Sequence, residues 1–182
     1  MTPAPTLSTA RLVLRGPEKS DLAAFTAWAT GSARMETVGG AVSTRDAWRG
    51  FIAGIGHWNW HGYGFFTVTE KATGIAAGRV GILNHIDWPQ PEMAWHMFDG
   101  FEGKSYAFEA ACAVREWAGR SLGLAPLISL IAPSNTRSLA LATRLGAIEE
   151  RRDTIDDEKV IIMRHLRFDD PRATAQAAGA IT

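Results

Sequence analysis

The chain has 182 residues, 46% of them hydrophobic, which suits one compact domain with a sizeable buried core and excludes a disordered or collagen-like chain. Its 19 Lys and Arg balance 19 Asp and Glu, so no net field gathers nucleic acid or anionic lipid at the surface, and no DNA or membrane partner is expected. The single cysteine, Cys112, can form neither an internal disulfide nor a cysteine-rich metal site, and its neighbours Ala110, Ala111 and Ala113 suggest a core position. The start Met1-Thr2-Pro3-Ala4 shows no basic patch followed by an apolar stretch, and no window reaches the apolar length of a membrane span. A soluble, cytoplasmic setting is expected.

Arg11 to Arg15 alternates polar and apolar residues like a half-buried strand, and Gly16-Pro17 stops it. Ser20-Asp21 can cap a helix carrying Leu22, Phe25 and Trp28. Ser43, followed three residues later by Asp46, resembles a capping box for a second helix predicted to bury Trp48, Phe51, Ile52 and Ile55. Tyr63 to Thr69 and Ala76 to Leu83 form a predicted hairpin through Lys71-Ala72-Thr73-Gly74, and Glu92 to Phe98 is a further strand. From Tyr106 to Leu122 apolar residues recur at helical spacing, with Gly123 where a helix stop is expected. Leu127 to Ile131 is a short apolar strand. Asn135 can cap a helix running to Leu145-Gly146, and final strands occupy Ala147 to Thr154 and Glu158 to Leu166. This order predicts a mixed α/β layout for residues 1–168, followed by a tail, 169–182, that frays or forms a short terminal helix.

Asp99-Gly100-Phe101-Glu102-Gly103-Lys104-Ser105 is a small-residue turn running into a helix N-terminus. Free N–H groups and the positive end of the helix dipole can bind a pyrophosphate there. Gly103-Lys104-Ser105 also copies the end of a nucleotide-triphosphatase P-loop, but that motif needs a glycine five residues earlier, where Phe98 stands.

Thr9 to Arg15, Gly62-Tyr-Gly-Phe-Phe-Thr-Val68, Gly78-Arg-Val-Gly-Ile82, Trp88-Pro89, Glu92-Met-Ala-Trp95, Gly103 to Ala110, Pro133-Ser-Asn-Thr-Arg-Ser138 and Arg144-Leu-Gly-Ala147 follow one another in order. Together they resemble the GNAT superfamily of N-acetyltransferases, in particular its ribosomal-protein alanine N-acetyltransferase-like branch. The resemblance runs from Thr9 to about Leu166. It implies the acyl-CoA N-acyltransferase fold: a central, mostly antiparallel sheet with a splayed strand pair, flanked by helices. It implies acetyl-CoA as cosubstrate and an amine acceptor that is either a peptide N-terminus or a small molecule; the histidine spacing, matching no zinc signature, adds the expectation of no metal. The backbone near Trp95, His96, Met97 and Phe98 would pair with the pantetheine arm. Gly103, Lys104, Ser105, Tyr106 and Ala107 would hold the pyrophosphate, and Asn135 would bond the coenzyme arm. Glu102 and Ser105 depart from the family's usual Gln or Arg and Gly at those turn positions. A carboxylate near phosphates repels them unless it points outward, which leaves a non-catalytic acyl-CoA sensor or scaffold as the alternative.

Acetyl transfer from a thioester needs a neutral amine and a proton for the leaving thiolate. Deprotonating an α-amine takes about 1 kcal/mol at neutral pH and a lysine roughly 4–5 kcal/mol, so an α-amine is the easier acceptor. Glu92, opening the splayed strand, is the first candidate base, against the plainer reading of an exposed strand-end carboxylate. Asp157, Glu158 and His96 are rivals. Many family members use a tyrosine donor where this chain has Ala142. Ser138, on the same helix face as Asn135, is left as the hydroxyl able to approach the coenzyme sulfur. Trp58, Trp60, Trp88 and Trp95 are candidate cleft walls or core residues, and His57, His61 and His85 match no zinc spacing. Residues alone leave monomer or homodimer open.

Overall fold

The computed structural model describes residues 4–124, 126–155 and 157–179. Alternation decides the first strand: in β2 (Leu12–Arg15) Leu12 and Leu14 are fully buried while Val13 and Arg15 are half-buried. A two-residue strand, β1 (Leu7–Ser8), pairs antiparallel with it; it is too short to show a period in sequence. There follow α1 (Leu22–Gly31), a 3-10 turn Ala33–Thr37, α2 (Thr44–His61), β3 (Phe65–Glu70), β4 (Ala76–Leu83), β5 (Glu92–Met97) and α3 (Tyr106–Leu122). The chain continues through β6 (Ile128–Ile131), α4 (Thr136–Arg144), β7 (Ile148–Ile155), β8 (Glu158–Arg164) and α5 (Pro171–Gly179). The tail therefore contains a helix, whose Ala173 is buried. Residues 180–182 of the expected tail lie outside the described residues.

The strands form one sheet in the order β1-β2-β3-β4-β5-β6-β8-β7. Every pairing is antiparallel except β5 with β6, which are parallel and paired only at Glu92 and Ile128. On one face Phe66, Val68, Val80, Ile82 and Met93 pack against Ala110, Ala111, Cys112 and Val114 of α3, placing the cysteine in the main core. On the other face Phe25, Trp28, Phe51 and Phe98 form a second cluster beneath α1 and α2. Each such large side chain contributes about 1.5–3 kcal/mol on burial, so both helix layers are held firmly to the sheet.

The expected apolar stripe on α2 is displaced. Ala47, Phe51 and Trp58 are buried, whereas Trp48 is 51% and Ile52 45% exposed. Apolar residues occupy two adjacent stripes of this helix, and periodicity alone does not choose between them. The capping of α2 is as expected: Ser43 accepts from the Asp46 N–H at 3.1 Å. Asp21 has another task. Its carboxylate takes two hydrogen bonds from Arg15 and one each from Thr67 and the Glu18 N–H, all at 2.8 Å, tying α1 to the sheet. Arg115 of α3 fixes α4 and α5 together, donating to the Leu145 carbonyl at 2.8 Å and to Gln176 at 3.1 Å. No helix among the described residues is long and apolar enough to cross a membrane.

Candidate active site

Beyond Glu92 and Ile128, β5 and β6 diverge, and the ladder that should join them is missing. Buried backbone groups need partners, and here side chains supply them. The Leu130 N–H donates to Glu92 Oε1 at 2.7 Å, and Ser129 Oγ donates to the Met93 carbonyl at 2.5 Å. Ser129 has thereby used its proton, so His165 Nε2, 2.8 Å away, is the donor in that contact, and the buried Nδ1 lacks a partner among the described residues. Burial pushes the His165 imidazole down to about 3 and keeps it neutral. Glu92 is not the exposed strand-end carboxylate of the plainer reading. It is buried, and burial pushes its carboxyl up to about 8 against the opposing influence of the Leu130 N–H.

The split opens into a cleft of about 380 Å³ whose lining includes Trp95, His96, Met97, Gly103, Ala107, Asn135 and Ser138. A smaller hollow of about 60 Å³ adds Glu92 to Trp95, His96, Asn135 and Ser138. Most of the residues expected at the site therefore meet at the divergence of β5 from β6. Phe98 does not. Its ring packs in the second core cluster and its N–H donates to the Ala77 carbonyl at 2.9 Å, extending the ladder with β4, so the expected role for Phe98 beside the coenzyme arm is withdrawn. Asp157 and Glu158 line neither cavity.

The turn into α3 is shaped for anions. Gly103 has φ +70° and Ser105 φ +61°, and the N–H groups from Gly103 to Phe108 have no protein acceptor among the described residues. They lie at the positive end of the helix dipole. Glu70 secures the turn from beneath, accepting from Tyr106 Oη at 2.5 Å and Lys104 Nζ at 3.4 Å. The Lys104 and Tyr106 side chains thus point to Glu70 and offer the site only their backbones. The Tyr106 hydroxyl holds the Glu70 carboxyl below its ordinary range. The carboxylate of Glu102 is engaged by Arg34 at 2.5 Å and by the Gly100 N–H at 2.8 Å. The repulsion expected from Glu102 is offset by that guanidinium, which also reaches Asp99 at 3.5 Å.

Asn135 Oδ1 accepts from the Ser138 N–H at 3.1 Å and caps α4. Ser138 Oγ accepts from Trp95 Nε1 at 3.2 Å, and no protein group among the described residues takes its hydrogen. The hydroxyl proton is therefore free to be given into the cleft.

Three participants escape sequence reasoning. Trp28 of α1 lines the cleft, stacks on His96 at 4.8 Å, and has a buried indole N–H without a partner among the described residues. Arg79 of β4 donates from Nε to His96 Nδ1 at 2.9 Å, and Arg34 rims the cleft. Only Arg79 left a trace, because strands β4 and β5 alternate and an inward-facing arginine needs a partner. Burial, and then the charge of Arg79, hold His96 well below its usual range, which removes it as a base. Of the four tryptophans considered as walls only Trp95 lines the cleft. Trp58 is buried with Nε1 on the Phe65 carbonyl, Trp60 is 85% exposed, and Trp88 packs on His85. Both ring nitrogens of His57 are occupied, by the Tyr63 carbonyl and the Asn84 N–H.

A family described as "Acetyltransferase (GNAT) domain" matches residues 11–148. The chain belongs to the GNAT acetyltransferase family. It is similar to an acetyltransferase of Agrobacterium tumefaciens str. C58 at 32% identity, covering 92% of this chain and 97% of that one with a TM-score of 0.84. Two more distant structures share the GNAT fold. Mycobacterium smegmatis RimJ in complex with CoA-disulfide has 17% identity and a TM-score of 0.74, covering 97% and 93% of the two chains. A ribosomal-protein-S5-alanine acetyltransferase of Vibrio fischeri has 16% identity and a TM-score of 0.72, covering 91% and 98%. GNAT enzymes use acetyl-CoA, and this protein is an acetyl-CoA-dependent acetyltransferase. The free N–H groups at Gly103–Phe108 and the unpaired stretch of β5 fit a pyrophosphate and an extended amide-bearing arm.

Proposed function

We propose that the protein transfers the acetyl group of acetyl-CoA directly to a primary amine bound in the same cleft, with Glu92 as proton acceptor and Ser138 as proton donor. The observation that carries this reading is the convergence of both side chains on one hollow at the strand split, beside a turn whose N–H groups are free. Trp95 bonds Ser138 Oγ as a donor, so the hydroxyl hydrogen is directed elsewhere, toward a leaving thiolate. Glu92, pushed up to about 8, is matched to an α-amine near 8. Taking a proton from a lysine near 10.4 would be uphill by about 3 kcal/mol. The acceptor is thus an amine of low basicity, such as a peptide N-terminus or an amino-acid-like small molecule. The ribosomal-protein acetyltransferases that share the fold are in keeping with the first.

Titration calorimetry with acetyl-CoA, followed by thiol release against peptides with free N-termini and small amines, tests the reading. Binding with release on an α-amine is expected. No heat at millimolar acetyl-CoA would defeat the coenzyme assignment, and binding without release on any amine would replace transfer by sensing.

A further inference from the structure

His96 has two ring nitrogens with different fates. Nδ1 accepts from Arg79 Nε at 2.9 Å, so the ring's proton sits on Nε2. Nε2 has no protein partner among the described residues, and His96, only partly buried, lines both the large cleft and the smaller hollow that holds Glu92 and Ser138. Trp28 stacks on the ring with an interplanar angle of 29°, fixing its plane. Behind it, the Arg79 guanidinium lies 4.3 Å from the Phe65 ring centroid, 4.5 Å from Phe25 and 5.5 Å from Trp28, with no carboxylate among the described residues bonded to it. The nearby Asp21 is already committed to Arg15, Thr67 and the Glu18 N–H. The result is a rigid, neutral N–H donor backed by an unneutralised cation, facing the place where an amine must approach Glu92.

We propose that His96, oriented by Arg79, is a specificity-determining residue that donates from Nε2 to a carbonyl or carboxylate oxygen adjacent to the acceptor's amine. This rests on the acetyl-transfer reading of the cleft. A donor in a hollow that is left unmet discriminates strongly against a ligand lacking the matching acceptor, because its desolvation is then uncompensated. Arg79 supplies the second half of the selectivity: its charge opposes polycationic amines and favours an acceptor whose amine sits beside a partial or full negative charge. Arg79 touches no substrate and is a positioning residue, holding one tautomer of His96.

Two readouts decide the matter. Long-range proton–nitrogen spectra of the ¹⁵N-histidine-labelled protein with coenzyme A should show His96 protonated on Nε2 alone between pH 5.5 and 8. That Nε2–H should move downfield with a pool of tripeptides bearing free α-amines and stay in place with 1-aminoalkanes. Arg79→Met should release the tautomer, giving a mixture of Nδ1–H and Nε2–H forms. A ring protonated on both nitrogens at pH 6, a single unchanged tautomer in Arg79→Met, or no response to the peptides would overturn the proposal. In thiol-release assays, His96→Phe keeps a ring against Trp28 and should lower the ratio of kcat/KM for tripeptides over 1-aminoalkanes about tenfold, the size of one lost hydrogen bond. An unchanged ratio would also overturn it. Absence of thiol release from wild-type protein with every amine would defeat the transfer reading, and the spectra would still decide the role of His96.

Discussion

The turn into α3 and the split between β5 and β6 are both interruptions of regular backbone hydrogen bonding, and the chain resolves them in opposite ways. At the turn, the N–H groups from Gly103 to Phe108 are left free. At the split, Glu92 and Ser129 step in for the missing strand neighbour. A site made of main-chain donors tolerates changes of side chain, which explains how Glu102 and Ser105 can stand at signature positions once Arg34 engages the carboxylate. A site made of side chains has no such latitude.

That contrast sets the size of the effects expected from mutation. Ser138→Ala should produce the largest. Removing a positioned proton donor costs on the order of 10²-fold or more in kcat, while acetyl-CoA affinity, governed at the turn, stays within about twofold. Steady-state kinetics beside calorimetry measures both. Equal losses in kcat and affinity would show that Ser138 serves the coenzyme arm and would erase the division between the two regions.

Glu92→Gln should come next, and it is readable in stability as well as in rate. The folded carboxyl holds its proton up to about 8, whereas the unfolded one releases it near 4.5. Between those values the native state binds more protons than the unfolded state, so wild-type stability falls as pH rises through the window. His165, at about 3 when folded, and His96, also depressed, work the other way and lose stability below pH 6.5. The unfolded forms of these histidines, and of His57, which is also depressed, go on losing protons up to about one unit above 6.5, so the Glu92 share between pH 6.5 and 8, a fall of about 2 kcal/mol at 1.4 kcal/mol per unit, is read as the difference between wild type and Glu92→Gln. Urea denaturation across that interval should show wild type losing about 2 kcal/mol relative to Glu92→Gln. In the same variant the rise of kcat/KM with pH should shift to higher pH than in wild type. A difference between wild type and Glu92→Gln that stays level would mean Glu92 is ionised when folded, and the split would no longer need a neutral side chain.

The two regions also differ in how far they were legible beforehand. The turn could be read because it is local: a run of small residues, then a helix from Tyr106 ending at Gly123, whose observed bounds match those expected. The mostly antiparallel sheet and the split pair followed from the resemblance of ordered segments, which also nominated Glu92 and Ser138 for one site. The proposed acceptor wall could not be read. Trp28, Arg79 and His96 come from three elements, and only tertiary packing decides that Arg79 bonds His96 and not a carboxylate. Helix α2 was half legible for a related reason: Phe51 is buried and Ile55 packs on the second cluster as expected, but Trp48 and Ile52 are as apolar as the buried Ala47, and only the position of α1 selects between them. Glu92 was placed correctly at the start of β5, but its burial depends on β6, which lies 36 residues later across the Glu92–Ile128 pairing.

The smallest expected effect lies at the turn and is the sharpest check on its main-chain character. Ser105 sits at φ +61°, where a side chain costs about 1–2 kcal/mol, and its hydroxyl contributes only an exposed bond from Arg144 at 2.9 Å. Glycine relieves the strain but loses about 0.5–1 kcal/mol of that gain to the greater freedom of its unfolded chain. Ser105→Gly should therefore stabilise the protein by about 0.5–1 kcal/mol, raising Tm by about 2 °C. Acetyl-CoA affinity should hold or tighten a few-fold. Ser105→Val, β-branched in the same conformation, should move Tm and affinity the opposite way. If the glycine variant instead binds acetyl-CoA more weakly, the Ser105 hydroxyl and its tie to Arg144 are shaping the turn. The coenzyme region would then depend on side chains as the strand split does.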